Sequence, residues 1–193
     1  PGGFSGGDEP EGSGKFITAF FRNAAIQQGV EDLLERRDGL MLGICNGFQA
    51  LIKLGLLPHG RIQTPTADSP TLTYNRIGRH QSMLCRTRVS SNRSPWLSRV
   101  SVGDVFRVAI SHGEGRFVAD EATLRQLEAR GQIALQYVDE DGRPSMDIRD
   151  NPNGSVWAIE GITSPDGRIL GKMGHSERMA PGLYRNVPGD TNQ

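Results

Sequence analysis

An apolar run, Leu40-Met41-Leu42, leads into Gly43-Ile44-Cys45-Asn46-Gly47, and Phe48, Leu51 and Ile52 follow at helical spacing. That pattern reads as a buried strand, a sharp turn and a helix, and it fixes the class of fold, because a core strand running straight into a helix is the unit from which α/β sheets are built. A side chain placed between two glycines on such a turn is lifted clear of the sheet without crowding from neighbouring Cβ atoms. When it is a cysteine, it also meets the positive end of the helix dipole, which favours thiolate over thiol. Cys45 therefore reads as a catalytic nucleophile.

The chain has 193 residues, 36% of them hydrophobic, enough for a single core of ordinary size and one domain. Its 22 basic and 22 acidic side chains leave a formal net charge of +0, so no general field draws nucleic acid or an anionic membrane. Apolar runs fall far short of the ~20 residues that span a bilayer, and a cytoplasmic protein is expected. Cys45 and Cys85 are the two cysteines, and two reduced thiols explain them more simply than a disulfide framework. Pro1-Gly2-Gly3-Phe4-Ser5 opens the chain without a Met. The expectation is an N-terminally truncated piece of something longer.

Residues 4–14 are rich in Gly, Asp, Glu and Ser and read as a loop. Residues 15–26 place Phe16, Phe20 and Ala24 on one helical face, expected in the core, and Val30, Leu33 and Leu34 suggest a second helix closing on Arg36-Arg37. Gly55 fits a helix end and Pro58 the close of that element. Strands are expected over residues 83–89, 105–111, 133–138, 157–162 and 169–173, with a short helix at Leu124 and Leu127. Ser164-Pro165-Asp166-Gly167 joins the last two strands as a hairpin turn. The domain is expected over residues 1–179 and a polar tail over 180–193.

A thiol nucleophile needs a base, and the base needs an orienting acceptor. Of the four histidines, His175 stands out, because Glu177 two residues on can hold its imidazole in one tautomer. It also follows the strand at 169–173, at a strand end where α/β sites are commonly built. Spacing alone leaves a surface His near a Glu equally open. The Asn46 amide is a natural oxyanion donor, and Gly2-Gly3 can offer a second or be a plain tight turn. His112-Gly113-Glu114-Gly115 supplies too few ligands for zinc and reads as a binding or interface loop. Cys85, in an alternating strand, reads as a buried inert thiol. Arg76, Arg79, Arg86 and Arg88 read as a solvated face before a phosphate or acidic-partner site.

Gly43-Ile44-Cys45-Asn46-Gly47-Phe48-Gln49 resembles the nucleophile turn of class I (triad) glutamine amidotransferases, and its Asn-Gly-Phe-Gln continuation resembles the phosphoribosylformylglycinamidine synthase branch. Pro1-Gly2-Gly3-Phe4-Ser5, His112-Gly113-Glu114-Gly115-Arg116-Phe117 and His175-Ser176-Glu177-Arg178 are similar to that branch in the same order, so the resemblance spans nearly the whole chain. It implies a three-layer flavodoxin-like α/β fold. It implies Cys45 as nucleophile, His175 as base and acid, Glu177 as its orienter, and Gly3 and Asn46 as oxyanion-hole positions. Phe4, Gln49, His112 and Glu114 would lie near the glutamine or at the synthetase interface. No metal or cofactor is implied for this domain; ATP and Mg belong to the synthetase part. The partners implied are L-glutamine and a synthetase domain on the same longer chain, since the loop Gly6–Gly14 resembles the version in long bacterial synthases. Ser176 departs from the Pro that many relatives carry between His and Glu. A cysteine hydrolase of other amides and a non-catalytic interaction domain are the alternatives.

Overall fold

The computed structural model describes residues 1–3, 12–180 and 182–184. Its centre is a six-stranded sheet in the order β1-β8-β7-β6-β3-β4, formed by β1 (Met41–Ile44), β3 (Gln81–Val89), β4 (Val105–His112), β6 (Ile133–Tyr137), β7 (Ile159–Thr163) and β8 (Ile169–Lys172). β1 pairs with β8 in parallel, Met41 opposite Ile169 and Ile44 opposite Lys172. The remaining pairings in this sheet are antiparallel. Two three-residue strands, β2 (Thr71–Thr73) and β5 (Arg116–Val118), form a separate antiparallel pair.

The helices are α1 (Lys15–Phe21), α2 (Ala24–Glu31), which runs on into a π-helical turn at Asp32–Arg36, α3 (Asn46–Lys53), the short irregular α4 (Leu56–His59) and α5 (Glu121–Ala129). Strand side chains alternate faces, so neighbours on β8 enter different cores. Ile169 joins a large cluster with Phe48 and Leu51 of α3, Leu34 beyond α2, and Leu124 and Leu127 of α5. Leu170 faces the other way, into a smaller cluster with Val89, Ala134 and Leu135, covered by Leu97 and Val100. Phe48 and Phe117 are wholly buried, a burial that contributes roughly 1.5–3 kcal/mol for each side chain.

Local chemistry sets the element ends. The Asp120 carboxylate accepts the Thr123 N–H at 2.6 Å and caps α5; its loss would cost about 1 kcal/mol. Gly55 adopts φ 78° just past α3 and donates its N–H to the Ile52 carbonyl at 3.0 Å, the left-handed stop its sequence position suggests. The hairpin between β7 and β8 is closed by Gly167, φ 78°, and by the Ser164 hydroxyl, which donates to Asp166 at 2.5 Å and accepts the Ile169 N–H at 3.0 Å.

Three expectations need correction. Residues 15–26 are not one helix: Asn23 is extended and caps α2 by accepting the Ala25 N–H, so a polar capping side chain overrides the continuing pattern. Phe16 and Phe20 are 62% and 58% exposed, because helical spacing shows that residues share a face without saying that the face meets the core. Pro58 lies inside α4 after a cis Leu57–Pro58 bond rather than closing α3. The tail expected over 180–193 falls mostly outside the described residues.

Candidate active site

Cys45 sits where β1 ends and α3 begins, and its backbone is bent to φ 52°, ψ −109°. A non-glycine residue there costs on the order of 1–3 kcal/mol, and the surroundings hold it. The Cys45 N–H donates to the Lys172 carbonyl of β8 at 2.8 Å, and its carbonyl accepts the Gln49 N–H at 3.0 Å as the helix starts. The flanking glycines serve close packing: a Cβ on Gly43 would lie 2.5 Å from Leu51 Cδ1 and 2.8 Å from the Gly47 carbonyl carbon. Strand and helix can therefore approach closely enough to make the turn sharp.

Two backbone N–H groups, those of Asn46 and Gly3, reach the Cys45 sulfur. The Asn46 amide belongs to the first turn of α3, as its sequence position predicts. The Gly3 amide comes from the opening turn, where Gly3 has φ 99° and Gly2 leaves room for the imidazole. A Cβ on Gly2 would lie 2.5 Å from His175 Cε1 and 3.3 Å from Cys45 Cβ. The Cys45 Cβ and the edge of the imidazole thus both pack against Gly2.

His175 is 1% exposed and its N–H donates to the Ala109 carbonyl at 2.8 Å. Its Nδ1 is 2.5 Å from Glu177 Oε1, while Nε2 has no hydrogen-bond partner among the described residues. A carboxylate accepts only, so Nδ1 carries the proton and the Nε2 lone pair is left for another donor. Burial alone would raise the Glu177 carboxyl, but the hydrogen bond from His175, a backbone N–H and the Arg178 charge outweigh it and hold the group below the ordinary glutamate range.

Burial weighs more on the resting thiol than the helix end does. Burial pushes Cys45 above the ordinary thiol value, and the Asn46 and Gly3 amides and the Arg178 charge oppose that push without cancelling it. The helix dipole therefore does not by itself make a thiolate here. A base is required.

A cavity of about 460 Å³ opens over these groups, and its wall includes Gly3, Cys45, Asn46, Gln49 and His175 together with the His112–Glu114 loop. The Glu114 side chain accepts the Ser13 N–H at 3.1 Å and the Ser13 hydroxyl at 2.5 Å, and the Gln49 amide donates to the Glu114 carbonyl. The loop is thereby tied both to the N-terminal segment and to the nucleophile helix. His112 is buried and bonded through Nε2 to Asn153 Oδ1 at 2.9 Å, and Asn153 Nδ2 donates to Tyr137 Oη at 2.8 Å. Burial drives His112 down to about 4, so it remains a neutral wall group. Phe4 lies outside the described residues.

Sequence reasoning missed Tyr74, Arg79 and His80, which line the same cavity. Tyr74 follows β2, whose pairing sets Thr73 opposite Arg116, and Arg79 and His80 precede β3, whose register sets Gln81 opposite His112; these two pairings bring them to the loop. Arg178 stood in a motif without a role; its charge acts on Cys45. Among the described residues no group of three His, Cys, Asp or Glu could hold a metal ion. No helix among them is long and apolar enough to cross a membrane.

A cysteine at a strained strand–helix turn, two amides on its sulfur and a carboxylate-oriented imidazole beside it can open an amide through a thioester. On this α/β sheet the arrangement is that of a class I glutamine amidotransferase. The chain belongs to the CobB/CobQ-like glutamine amidotransferase domain family, whose model matches residues 1–193. It is 40% identical over 189 residues to the phosphoribosylformylglycinamidine synthase subunit PurQ of Moorella thermoacetica, covering 98% of this chain and 72% of that protein. The PurQ subunit of Aquifex aeolicus is 35% identical over 189 residues, 98% of this chain and 75% of that one. Among solved structures, PurLQS from Thermotoga maritima superposes with a TM-score of 0.68 at 29% identity, covering 92% of this chain and 67% of that chain.

Proposed function

We propose that this chain is the glutaminase part of a phosphoribosylformylglycinamidine synthase, hydrolysing L-glutamine and delivering ammonia for the ATP-dependent conversion of formylglycinamide ribonucleotide to the amidine in purine biosynthesis. The observation that carries the reading is Cys45 on its strained turn at the wall of one cavity with Gly3, Asn46 and His175, whose Nδ1 meets Glu177. His175 Nε2 takes the Cys45 proton as the sulfur attacks the side-chain carbonyl carbon of glutamine, and the two amides hold the resulting oxyanion. The C–N bond breaks as the imidazolium returns its proton to the leaving nitrogen, which departs as ammonia. Water, deprotonated by the same imidazole, then attacks the thioester; glutamate leaves and the thiol is restored. Glu177 keeps Nδ1–H fixed and stabilises the imidazolium.

The cavity suits a small zwitterion, with Glu114, Arg79 and Arg178 among the residues that line it. No metal or cofactor takes part in these steps; ATP and Mg act in the synthetase, which we assign to the same longer chain in the cytoplasm on the strength of the Gly-rich loop at residues 6–14. The test is Cys45→Ser in the whole enzyme with its synthetase. Glutamine-dependent product should vanish while product from added ammonia persists. Loss of both, or of neither, would contradict the reading.

A further inference from the structure

β7 and β8 carry a charged pair that the reaction steps above do not use. Glu160 is 0% exposed and Lys172 is 8% exposed, each within an otherwise apolar or small-residue strand. Buried residues of these types are rare unless paired, and here the pairing is loose: Lys172 Nζ lies 4.0 Å from Glu160 Oε1, and Glu160 Oε2 has no hydrogen-bond partner among the described residues. As a device for stability this is poor, because well-packed apolar side chains of similar volume do as well or better than a buried ion pair. Its connections give another reason for it. Glu160 Oε1 accepts the N–H of Gly174 at 2.5 Å, and the Glu160 carbonyl accepts the Met173 N–H at 3.2 Å. A Cβ on Gly174 would lie 2.8 Å from that same Oε1 and 2.6 Å from Val108 Cγ2, so carboxylate and backbone are in close contact.

The stretch so held supports both reacting side chains. At one end the Lys172 carbonyl accepts the Cys45 N–H at 2.8 Å. At the other, Gly174 is the residue before His175, whose own N–H is fixed by Ala109 at 2.8 Å. Resting on the glutaminase reading, we propose that Glu160, with Lys172, is a positioning residue that sets His175 against Cys45 by holding the backbone between their anchor points. It touches neither substrate nor the reacting atoms. A misplacement of the imidazole slows thioester formation without altering how glutamine is bound, so kcat should bear the loss and KM should not.

The experiment measures glutamine-dependent and ammonia-dependent activity of the whole enzyme for wild type, Glu160→Ala, Glu160→Gln and the double variant Glu160→Ala with Lys172→Met, with circular dichroism and thermal melting beside them. Glu160→Ala should lower kcat for glutamine about 10- to 100-fold, the order of loss that a misplaced reacting group brings, with KM and ammonia-dependent activity near wild type. Glu160→Gln retains an acceptor for the Gly174 N–H and should restore most of kcat. The double variant removes both charges, so no lone charge is left buried; it should fold and still show the reduced kcat. A folded double variant with wild-type kcat, a Gln variant as slow as the Ala variant, or a double variant that does not fold would each overturn the proposal. A wild-type enzyme that uses ammonia but not glutamine would instead overturn the glutaminase reading on which it rests.

Discussion

Cys45 and Cys85 are both buried, 6% and 3% exposed, and in both burial is the largest influence raising the thiol. What surrounds them differs. Cys85 lies in the middle of β3 and faces the charges of Glu160 and Asp150, which add to burial and push it up to about 12. Cys45 lies on a strained turn, where two backbone N–H groups and the Arg178 cation oppose burial and the Glu177 charge adds a smaller push with it. Burial alone thus does not separate an inert thiol from a nucleophile. The donors and charges aimed at the sulfur do, and they exist because a turn with φ 52° turns the side chain away from its own sheet and towards the opening Gly-Gly turn and the end of β8.

The sharpest way to break the contrast is to exchange the two thiols' fates. Cys45→Ser should abolish glutamine-dependent turnover, whereas Cys85→Ala should leave it within about twofold and cost on the order of 1 kcal/mol of stability for the lost buried volume, read by denaturant melts. Equal losses of activity would end the distinction. Next in size is Glu177→Gln, which leaves an amide that no longer stabilises an imidazolium; a fall in kcat of roughly 10²–10⁴-fold is expected by analogy with triad orienters, measured in steady state. Smaller again is Gly2→Ala. Its methyl would lie 2.5 Å from His175 Cε1, and a displacement of that order should cut kcat on the order of tenfold to a hundredfold with little change in thermal stability.

The smallest effect is in pH. The folded Glu177 carboxyl titrates below its ordinary value, so its contribution to stability is complete above the unfolded pKa of about 4.3 and fades as pH falls through the lower folded value. Because the side chain is 47% exposed, solvent screening keeps that contribution well under about 1 kcal/mol. Acid melts of wild type and Glu177→Gln should therefore differ slightly at pH 6 and converge below pH 4. A difference that grew on acidification would reverse the sign.

Much of this was legible in the amino-acid sequence where one local pattern demands one geometry. Gly-Ile-Cys-Asn-Gly between an apolar run and helix-spaced Phe48 and Leu51 allows few backbones, and Ser-Pro-Asp-Gly carries its own turn. His175 and Glu177 were legible for the same reason, since two residues of separation suffice to bring Nδ1 and a carboxylate together. What was hidden depends on distant partners. β2 and β5 are three residues each and have no period to read; they exist through pairing across more than forty positions. Tyr74 reaches the cavity through the pairing of β2 with β5, and Arg79 and His80 through the register of β3 on β4. Phe16 and Phe20 showed a common face but not its direction. The burial of the thiol was hidden as well, because a helix N-terminus is visible in sequence and desolvation is not.

The most direct measurement is competitive labelling. The whole enzyme is treated near pH 8 with a glutamine-analogue electrophile, with and without L-glutamine, and the modified peptides are identified by mass spectrometry. Cys45 should be modified and L-glutamine should suppress that modification, with Cys85 untouched until the protein is unfolded. Modification of Cys85 at a comparable rate, or labelling of Cys45 that glutamine does not suppress, would contradict it.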